Sequence, residues 1–391
     1  MSEKIDQILS AGVGPSGVAG VSAVVVSRDG TIYEGAFGER QLGEGEAMTV
    51  DTVGWIASMT KAVTGAAAMQ LVEQGKLDLD RPAAAICQQL GDVAVLDGFS
   101  DAGEPVTREP SVPVTLRQLL THTSGFAYEI WDERLARYLE VTGEPSILTL
   151  QEAALGIPLM FDPGSAWEYG IGIDWAGQMV EEVSGLTLGE YFAEHLTGPL
   201  GMDDTAFAPT SAMLERAAGM HARTEDGTLA PMELPQPENP EFEMGGGGLN
   251  STMADYSRFL RMILNDGELE GTRVLRPETV QQMAANNIGH IRVSKMTTAA
   301  PAYSNDAEFF PGDPKSWGLT FQINEVEGHT GRPAGTLMWA GLANSFYWID
   351  RTNGVAGCYL TQILPFADQP SLGLYYDFET ALYDALAGQD L

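Results

Sequence analysis

Cysteine is scarce in this chain, with two residues among 391. Cys87 and Cys358 have neither the spacing of a metal site nor the number needed for a disulfide framework, so we expect two buried free thiols. The five histidines lack metal-ligand spacing as well, and we predict no metal and no organic cofactor. The opening MSEKIDQILSAGVGPSG has no basic stretch followed by an apolar one, which predicts no secretory signal and a cytoplasmic location.

Basic residues are also few. The chain carries 21 Lys and Arg against 54 Asp and Glu, a formal net charge of −33, and only five of the basic residues are lysines. Such a surface repels phosphate backbones and anionic lipid, so we expect neither nucleic acid nor a membrane as partner. No apolar run is long enough to suggest a membrane span. The expected partner is therefore a small molecule, and the oligomeric state is left open.

Strand patterns concentrate at the two ends of the chain. VSAVVVSRDGTIYEGAFG near the N-terminus reads as a hairpin around an Arg-Asp-Gly turn. Near the C-terminus, consecutive antiparallel strands are predicted at 317–326, 335–350 and 354–363. Helices are predicted at 4–11, at 59–75 and at about 372–386.

Between about residues 80 and 250 the pattern favours helices and Pro-containing loops, with no good strand. These patterns together predict an α+β fold, an α/β sandwich in which one antiparallel sheet is flanked by helices. Residues 1–80 and 250–391 would form this discontinuous α/β domain, and residues 81–249 a mostly helical second domain. A ligand cleft is expected between the two.

A candidate nucleophile lies at the start of the second predicted helix. In GWIASMTKAVTGAAAMQLVEQGKLDLD, Ser58 and Lys61 are three residues apart and therefore face the same way. A serine needs a base before it can attack, and a buried lysine loses its proton more easily than one in water. Ser-x-x-Lys is a known acyl-transfer motif. Taken alone the match is weak, because an ordinary amphipathic helix satisfies the same pattern.

The wider sequence resembles the serine β-lactamase-like superfamily, especially the family VIII carboxylesterases and the class C β-lactamases. Four segments carry the resemblance in the superfamily's order: IASMTKAVTGAAAMQLVEQGKLDLD, TLRQLLTHTSGF, FDPGSAWEYGIGIDWAGQMVEEVSG and GGGGLNSTMADYSRFL. The resemblance implies a β-lactamase/DD-peptidase-like fold. It also implies that Ser58, Lys61 and Tyr169 are catalytic, with Tyr169 as the base beside a cationic lysine.

The chain departs from the β-lactamases in two motifs. Their Tyr-x-Asn is replaced by a Tyr-Gly-Ile that begins at Tyr169, and their Lys-Thr-Gly strand motif is missing. The His-Thr-Gly at 329–331 falls in a predicted loop, so we reject it as the substitute. Trp339-Ala340-Gly341 is similar to the Trp-x-Gly of family VIII esterases. The same resemblance implies that the backbone N–H groups of Ser58 and Leu342 form an oxyanion hole.

Several further residues have two interpretations. Phe126, Tyr128 and Trp131 follow the T-H-T-S-G segment, where they could line a substrate pocket together with Trp339 and Gly341 or simply pack the helical domain. His122 of that segment is expected to brace a loop. The glycine run 245–248 is expected to form a flexible cleft edge.

The resemblance implies a serine hydrolase that cleaves short-chain carboxylic esters through an acyl-Ser58 intermediate. Segments such as LDGFSDAGEP and LLTHTSGFAYEIWDERLARYLE also resemble the lovastatin-type acyltransferases, which use the same three residues. Acyl transfer to an alcohol is therefore the alternative, and weak β-lactamase or D-amino-acid peptidase activity could accompany either. A non-catalytic binding protein on this fold would have no need of all three residues.

Overall fold

The computed structural model describes residues 1–234, 237 and 239–388. The α-helices of this described part are α1 (Ser2–Ala11), α2 (Thr60–Glu73), α3 (Leu116–Leu120), α4 (Glu133–Thr142), α5 (Gly172–Ser184), α6 (Leu188–Phe192), α7 (Gly198–Leu200), α8 (Ser211–Leu214), α9 (Met253–Leu264), α10 (Pro277–Met283) and α11 (Gln369–Gly388). Among the described residues, no helix combines the length and the apolar character needed to cross a membrane.

The strands of the described residues form one large sheet and four small ones. They are β1 (Gly20–Ser27), β2 (Thr31–Gly38), β3 (Gly54–Trp55), β4 (Val95–Phe99), β5 (Pro105–Arg108), β6 (Met220–Arg223), β7 (Leu229–Met232), β8 (Asn250–Ser251), β9 (Glu268–Leu269), β10 (Thr272–Arg273), β11 (Lys315–Trp317), β12 (Gln322–Asn324), β13 (Leu337–Gly341), β14 (Ser345–Asp350), β15 (Val355–Leu360) and β16 (Ile363–Leu364).

The large sheet joins the two ends of the chain. Its strand order is β11-β12-β13-β14-β15-β1-β2, and every neighbouring pair is antiparallel. The junction is the pairing of β1 with β15, in which Val24 lies opposite Cys358. The prediction of an antiparallel sheet built from both termini is therefore confirmed. The proposed domain boundaries at residues 80 and 250 stay a prediction.

Helices cover both faces of this sheet, as alternation along β14 demonstrates. Phe346 points to α11, where its ring lies 4.6 Å from that of Tyr375. The next residue, Tyr347, points the other way and contacts Tyr256 of α9 at 5.4 Å. Successive side chains of a strand face opposite sides, so a strand covered on both sides needs a continuous apolar run. This requirement explains why all six residues of β14 are buried.

Helix α2 runs through the interior and carries the Ser-x-x-Lys motif. All residues from Thr60 to Leu71 are buried. Small residues permit this burial: a Cβ on Gly65 would lie 2.5 Å from the Thr320 side chain. The motif therefore belongs to a core helix rather than to an amphipathic surface helix.

Several sequence expectations about strands were wrong. The segment 335–350 forms two antiparallel strands, β13 and β14, and the segment 354–363 divides into β15 of the large sheet and β16 of a small one. The segment 317–326 is not one strand, because Gly318 donates its N–H to the Phe321 carbonyl and Thr320 adopts φ +79°. This turn separates β11 from β12. The middle of the chain also contains strands, namely β4, β5, β6 and β7. The β4–β5 hairpin is largely exposed, so it lacks the apolar alternation by which strands are recognised.

Candidate active site

Ser58 lies at the entrance to α2, in a 3-10 turn formed by Ala57–Met59. Ala57 adopts the left-handed region with φ +44°, a strained conformation for a residue with a side chain. The end of β13 packs against this turn: a Cβ on Gly341 would lie 2.3 Å from the Ile56 carbonyl oxygen. Glycine is therefore required there, and it brings β13 beside Ser58. Ser58 is partly exposed, whereas its neighbours in the turn are buried.

Lys61 reaches Ser58 from inside the protein. Its Nζ donates to the Ser58 Oγ at 3.2 Å, to the Tyr128 hydroxyl at 2.9 Å and to the Gly246 carbonyl at 2.5 Å. The side chain is fully buried. Burial lowers the pKa of Lys61 to about 7, and the Asp174 carboxylate partly opposes this shift. Burial therefore favours the uncharged form of Lys61, which is the form that can accept a proton from Ser58.

Tyr169 lies beside Ser58 and Lys61, just before α5. Its hydroxyl accepts a hydrogen bond from the Trp339 indole Nε1 at 3.0 Å, and its ring centroid lies 4.7 Å from the Lys61 Nζ. Burial raises the pKa of Tyr169 well above its ordinary value, although donation from Ser58 and Trp339 to its oxygen works the other way. Tyr169 is therefore a neutral phenol at neutral pH. The Ser58 hydroxyl thus donates to Tyr169 and accepts from Lys61, and the assignment of Tyr169 as the catalytic base stays a prediction.

His122 braces the segment that carries Tyr169. Its carbonyl accepts from the Glu168 N–H at 2.9 Å, and its Nδ1 accepts from the Gly170 N–H at 3.3 Å. Burial, with a smaller effect of Lys61, lowers the pKa of His122 well below its ordinary value. His122 therefore holds the residues on both sides of Tyr169, Glu168 through its main-chain carbonyl and Gly170 through a neutral imidazole, which matches the expected bracing role.

Asp174 is a buried carboxylate that the sequence analysis missed. It lies in the first turn of α5 and is 1% exposed. Its Oδ1 accepts from the Gly246 N–H at 2.7 Å, and its Oδ2 accepts from the Tyr128 hydroxyl at 3.4 Å. Burial raises the pKa of Asp174 to about 6, while Lys61 acts to lower it. The sequence signal that could have identified Asp174 was an acidic residue within the otherwise apolar segment YGIGIDWAG.

The glycine run 245–248 is not a flexible cleft edge, as the sequence suggested. Gly245, Gly246 and Gly247 are buried. Gly245 accepts the Thr64 hydroxyl through its carbonyl at 2.6 Å, and Gly246 accepts Lys61. A Cβ on Gly246 would lie 2.4 Å from the Asp174 Oδ2. Gly245 and Gly246 are glycines because their backbone approaches α2 and α5 closely, a tertiary requirement that the sequence does not display.

The candidate pocket residues Trp131, Phe126 and Tyr128 have three different surroundings. Trp131 contacts the Tyr169 ring edge-on at 5.3 Å and is fixed by donation from its Nε1 to the Ser304 Oγ at 2.9 Å. Trp131 is only partly buried, so it remains a candidate wall of the substrate site. Phe126 instead stacks on Trp175 of α5 and is 1% exposed, which places it in the core. Tyr128 is part of the hydrogen-bond network around Lys61.

The remaining sequence candidates lie on or just after β13. Trp339 and Gly341 are within the strand, and Leu342 follows it immediately. His329, Thr330 and Gly331 lie in the loop between β12 and β13, as the sequence analysis expected. Within the described ranges, no group of three or more His, Cys, Asp and Glu side chains is arranged to hold a metal ion.

Comparison with known proteins gives the family. Residues 5–382 match the family model described as Beta-lactamase. A lovastatin esterase from Penicillium rubens is 33% identical over 362 residues, covering 88% of this chain and 89% of that protein. A monacolin J acid methylbutanoyltransferase from Aspergillus terreus is 31% identical over 380 residues, covering 92% of this chain and 91% of that protein.

Solved structures agree in fold. An unliganded simvastatin synthase from Aspergillus terreus superposes with a TM-score of 0.82 at 28% identity and covers 98% of each chain. EstCE1, a hydrolase with promiscuous acyltransferase activity, has a TM-score of 0.77 at 22% identity and covers 97% of this chain and 98% of its own. The α+β fold is thus β-lactamase/DD-peptidase-like. The chain belongs to the beta-lactamase family, as an enzyme of the serine β-lactamase-like superfamily that includes esterases and acyltransferases.

Proposed function

We propose that the protein is a carboxylesterase that cleaves short-chain esters through an acyl-Ser58 intermediate. One observation carries this proposal: the partly exposed Ser58 hydroxyl lies 3.2 Å from a buried lysine whose pKa is about 7. A base is most effective when its pKa is near the working pH. The contact therefore supplies what a serine nucleophile lacks on its own, a nearby group that accepts its proton.

In the first half-reaction, the Ser58 Oγ attacks the ester carbonyl while the Lys61 Nζ takes the hydroxyl proton. The tetrahedral oxyanion is held by the backbone N–H groups of Ser58 and Leu342, each worth about 3 kcal/mol in the transition state. The neutral Tyr169 phenol gives its proton to the departing alkoxide and is reprotonated by Lys61. The products are a free alcohol and acyl-Ser58.

In the second half-reaction, a water molecule attacks acyl-Ser58 and the same groups act in reverse. The water loses its proton to Lys61 through Tyr169, and the carboxylic acid leaves as the Ser58 hydroxyl is restored. No step in this sequence needs a metal or an organic cofactor.

Acyl transfer to an alcohol is the second candidate. The relatives support it directly, because an acyltransferase matches this chain at nearly the same identity and coverage as an esterase. Both reactions use one acyl-enzyme and differ only in whether water or an alcohol attacks it. Efficient β-lactam or D-amino-acid peptide turnover is less well supported, because the position of the asparagine in Tyr-x-Asn holds the buried, apolar Ile171.

The test is turnover of p-nitrophenyl acetate, butyrate and octanoate by the wild type, Ser58→Ala and Ser10→Ala. Ser10 is an exposed serine on α1 and serves as the matched control. We expect fast p-nitrophenol release by the wild type and Ser10→Ala and none above background by Ser58→Ala. Adding an alcohol and quantifying acid and ester products by chromatography separates the two candidates: free acid indicates hydrolysis, and a transferred ester indicates acyl transfer. Equal release by Ser58→Ala and wild type would refute both.

A further inference from the structure

Asp174 is a buried acid that has no role in the steps of the proposed reaction. In that reaction Ser58 attacks, Lys61 and Tyr169 move protons, and Asp174 touches none of the reacting atoms. Yet it is 1% exposed and its pKa is raised by burial, so its charge is kept inside the protein at an energetic cost. A buried carboxylate without a reactive role in an active site calls for a different role there.

Each carboxylate oxygen of Asp174 is connected to Lys61 by hydrogen bonds through one intermediate group. Oδ1 accepts the Gly246 N–H at 2.7 Å, and the carbonyl of the same Gly246 accepts the Lys61 Nζ. Oδ2 accepts the Tyr128 hydroxyl at 3.4 Å, and that hydroxyl accepts Lys61 at 2.9 Å. We refer to Tyr128, Asp174 and Gly246 as the lysine clamp.

The clamp is tightly packed. A Cβ added to Gly246 would lie 2.4 Å from Oδ2, 2.8 Å from Oδ1 and 2.9 Å from the carboxyl carbon of Asp174. The carboxylate therefore lies directly against the Gly246 peptide. Two of the three acceptors of the Lys61 ammonium belong to the clamp, and the third is the Ser58 hydroxyl.

The charges around Lys61 give the clamp an electrostatic effect. The titratable groups that face Lys61 are the Tyr128 and Tyr169 phenols, the His122 imidazole and the Asp174 carboxylate. The phenols and the imidazole are neutral near pH 7, because burial raises the pKa of the two phenols and lowers that of the imidazole. Within this set, Asp174 supplies the negative charge that favours the protonated lysine.

Building on the proposed function, we propose that Asp174 is a positioning residue that acts through Tyr128 and Gly246. It holds the Lys61 Nζ on the Ser58 hydroxyl and sets the proton affinity of Lys61. In this way it fixes the pH range over which Ser58 becomes acylated.

The direction in which Asp174 shifts the pKa of Lys61 follows from its negative charge. An aspartate near an ammonium stabilises the protonated form, typically by 1–3 pKa units at close range. Replacing Asp174 with asparagine keeps an oxygen for the Gly246 N–H and removes the charge. The pKa of Lys61 then falls, and the neutral, proton-accepting form persists to lower pH. The acid limb of kcat/KM, which reports free-enzyme pKa values, should therefore move down by about one pH unit or more.

The experiment compares kcat/KM for p-nitrophenyl butyrate from pH 5 to 9 in the wild type, Asp174→Asn and Glu182→Gln. Glu182 is an exposed carboxylate on the same helix, so its variant controls for the loss of one acidic residue. We expect the acid limb to move to lower pH in Asp174→Asn only. An unmoved limb, with or without a loss of rate, would overturn the proposal and leave Asp174 a merely structural role.

Tyr128→Phe keeps the test decisive if Asp174→Asn does not fold, as judged by the absence of a cooperative thermal transition. This variant removes one of the two links while Asp174 remains. Lys61 loses one of the acceptors that favour its protonated form, so the acid limb should again lie at lower pH than in the wild type. An unmoved limb in a folded Tyr128→Phe would overturn the proposal. Failure of the proposed function looks different, since the wild type itself would then lack Ser58-dependent turnover.

Discussion

The glycine run 245–248 allows a prediction about stability and activity, because its neighbouring glycines differ in the space available for a methyl group. In Gly246→Ala the new methyl group would lie 2.4 Å from the Asp174 Oδ2, which is closer than real Cβ contacts allow. In Gly247→Ala the nearest atoms are the end of the flexible Met244 side chain, at 3.4 Å. Neither glycine has a positive φ, so backbone strain does not complicate the comparison.

The expected magnitudes follow from packing. Overpacking a tight core costs about 1–3 kcal/mol, whereas an alanine that fits stabilises by up to about 1 kcal/mol by restricting the unfolded chain. An unfolding entropy of roughly 2.1 cal/mol/K for each of 391 residues gives ~0.8 kcal/mol/K. Gly246→Ala should therefore lower Tm by about 1–4 °C, and Gly247→Ala should leave it unchanged or slightly raised.

Gly246→Ala should also slow catalysis. Any shift of Asp174 or of the Gly246 carbonyl displaces the Lys61 Nζ, and a misplacement of about 1 Å can cost on the order of 100-fold in rate. Differential scanning calorimetry and initial rates with p-nitrophenyl butyrate measure the two effects. A Gly246→Ala variant with wild-type Tm and wild-type kcat would refute the close packing of Gly246, Asp174 and Lys61. An equal loss of Tm and kcat in Gly247→Ala would refute the claim that the effect is specific to Gly246.

Three further predictions concern the site and the core. Trp339→Phe keeps an aromatic ring but removes the hydrogen-bond donor to the Tyr169 hydroxyl. Loss of one such hydrogen bond costs about 1 kcal/mol, so kcat should fall about 5- to 10-fold while Tm changes little. Arg332→Met leaves Glu379 buried and unpaired, which should cost about 3–5 kcal/mol of stability by urea denaturation, while Arg332→Met/Glu379→Leu should recover most of it. In the wild type, kcat/KM should rise through about pH 7 and then level off, because the neutral fraction of Lys61 grows as pH increases; a flat profile would contradict this assignment.

Sequence reasoning located what depends on local pattern. The hairpin of β1 and β2 and the long C-terminal helix follow from residue periodicity and turn chemistry. The Ser58, Lys61 and Tyr169 motifs were found because they lie in extended segments that resemble a known superfamily. The structure brings Ser58, Lys61 and Tyr169 together although the tyrosine is more than 100 positions away along the chain.

The features that were missed depend on contacts between distant segments. Gly246 appeared flexible because its constraint comes from Asp174 on α5, more than 70 positions earlier in the chain. Thr320 turns the chain within an apparent strand because its N–H donates to the Leu120 carbonyl. Asp174 itself appeared to be an ordinary acid in a helix start. A single sequence does not reveal such tertiary requirements, since each residue taken alone fits a common local role.

The central claim is that Ser58 becomes acylated, and trapping that intermediate tests it most directly. The protein is mixed with p-nitrophenyl butyrate, quenched in acid within the first turnovers and digested, and the peptides are analysed by mass spectrometry. We expect one butyryl group on the peptide that contains Ser58 in the wild type, and none on that peptide in Ser58→Ala. A butyryl group carried by a different residue while p-nitrophenol is released, or steady release by Ser58→Ala, would contradict the account.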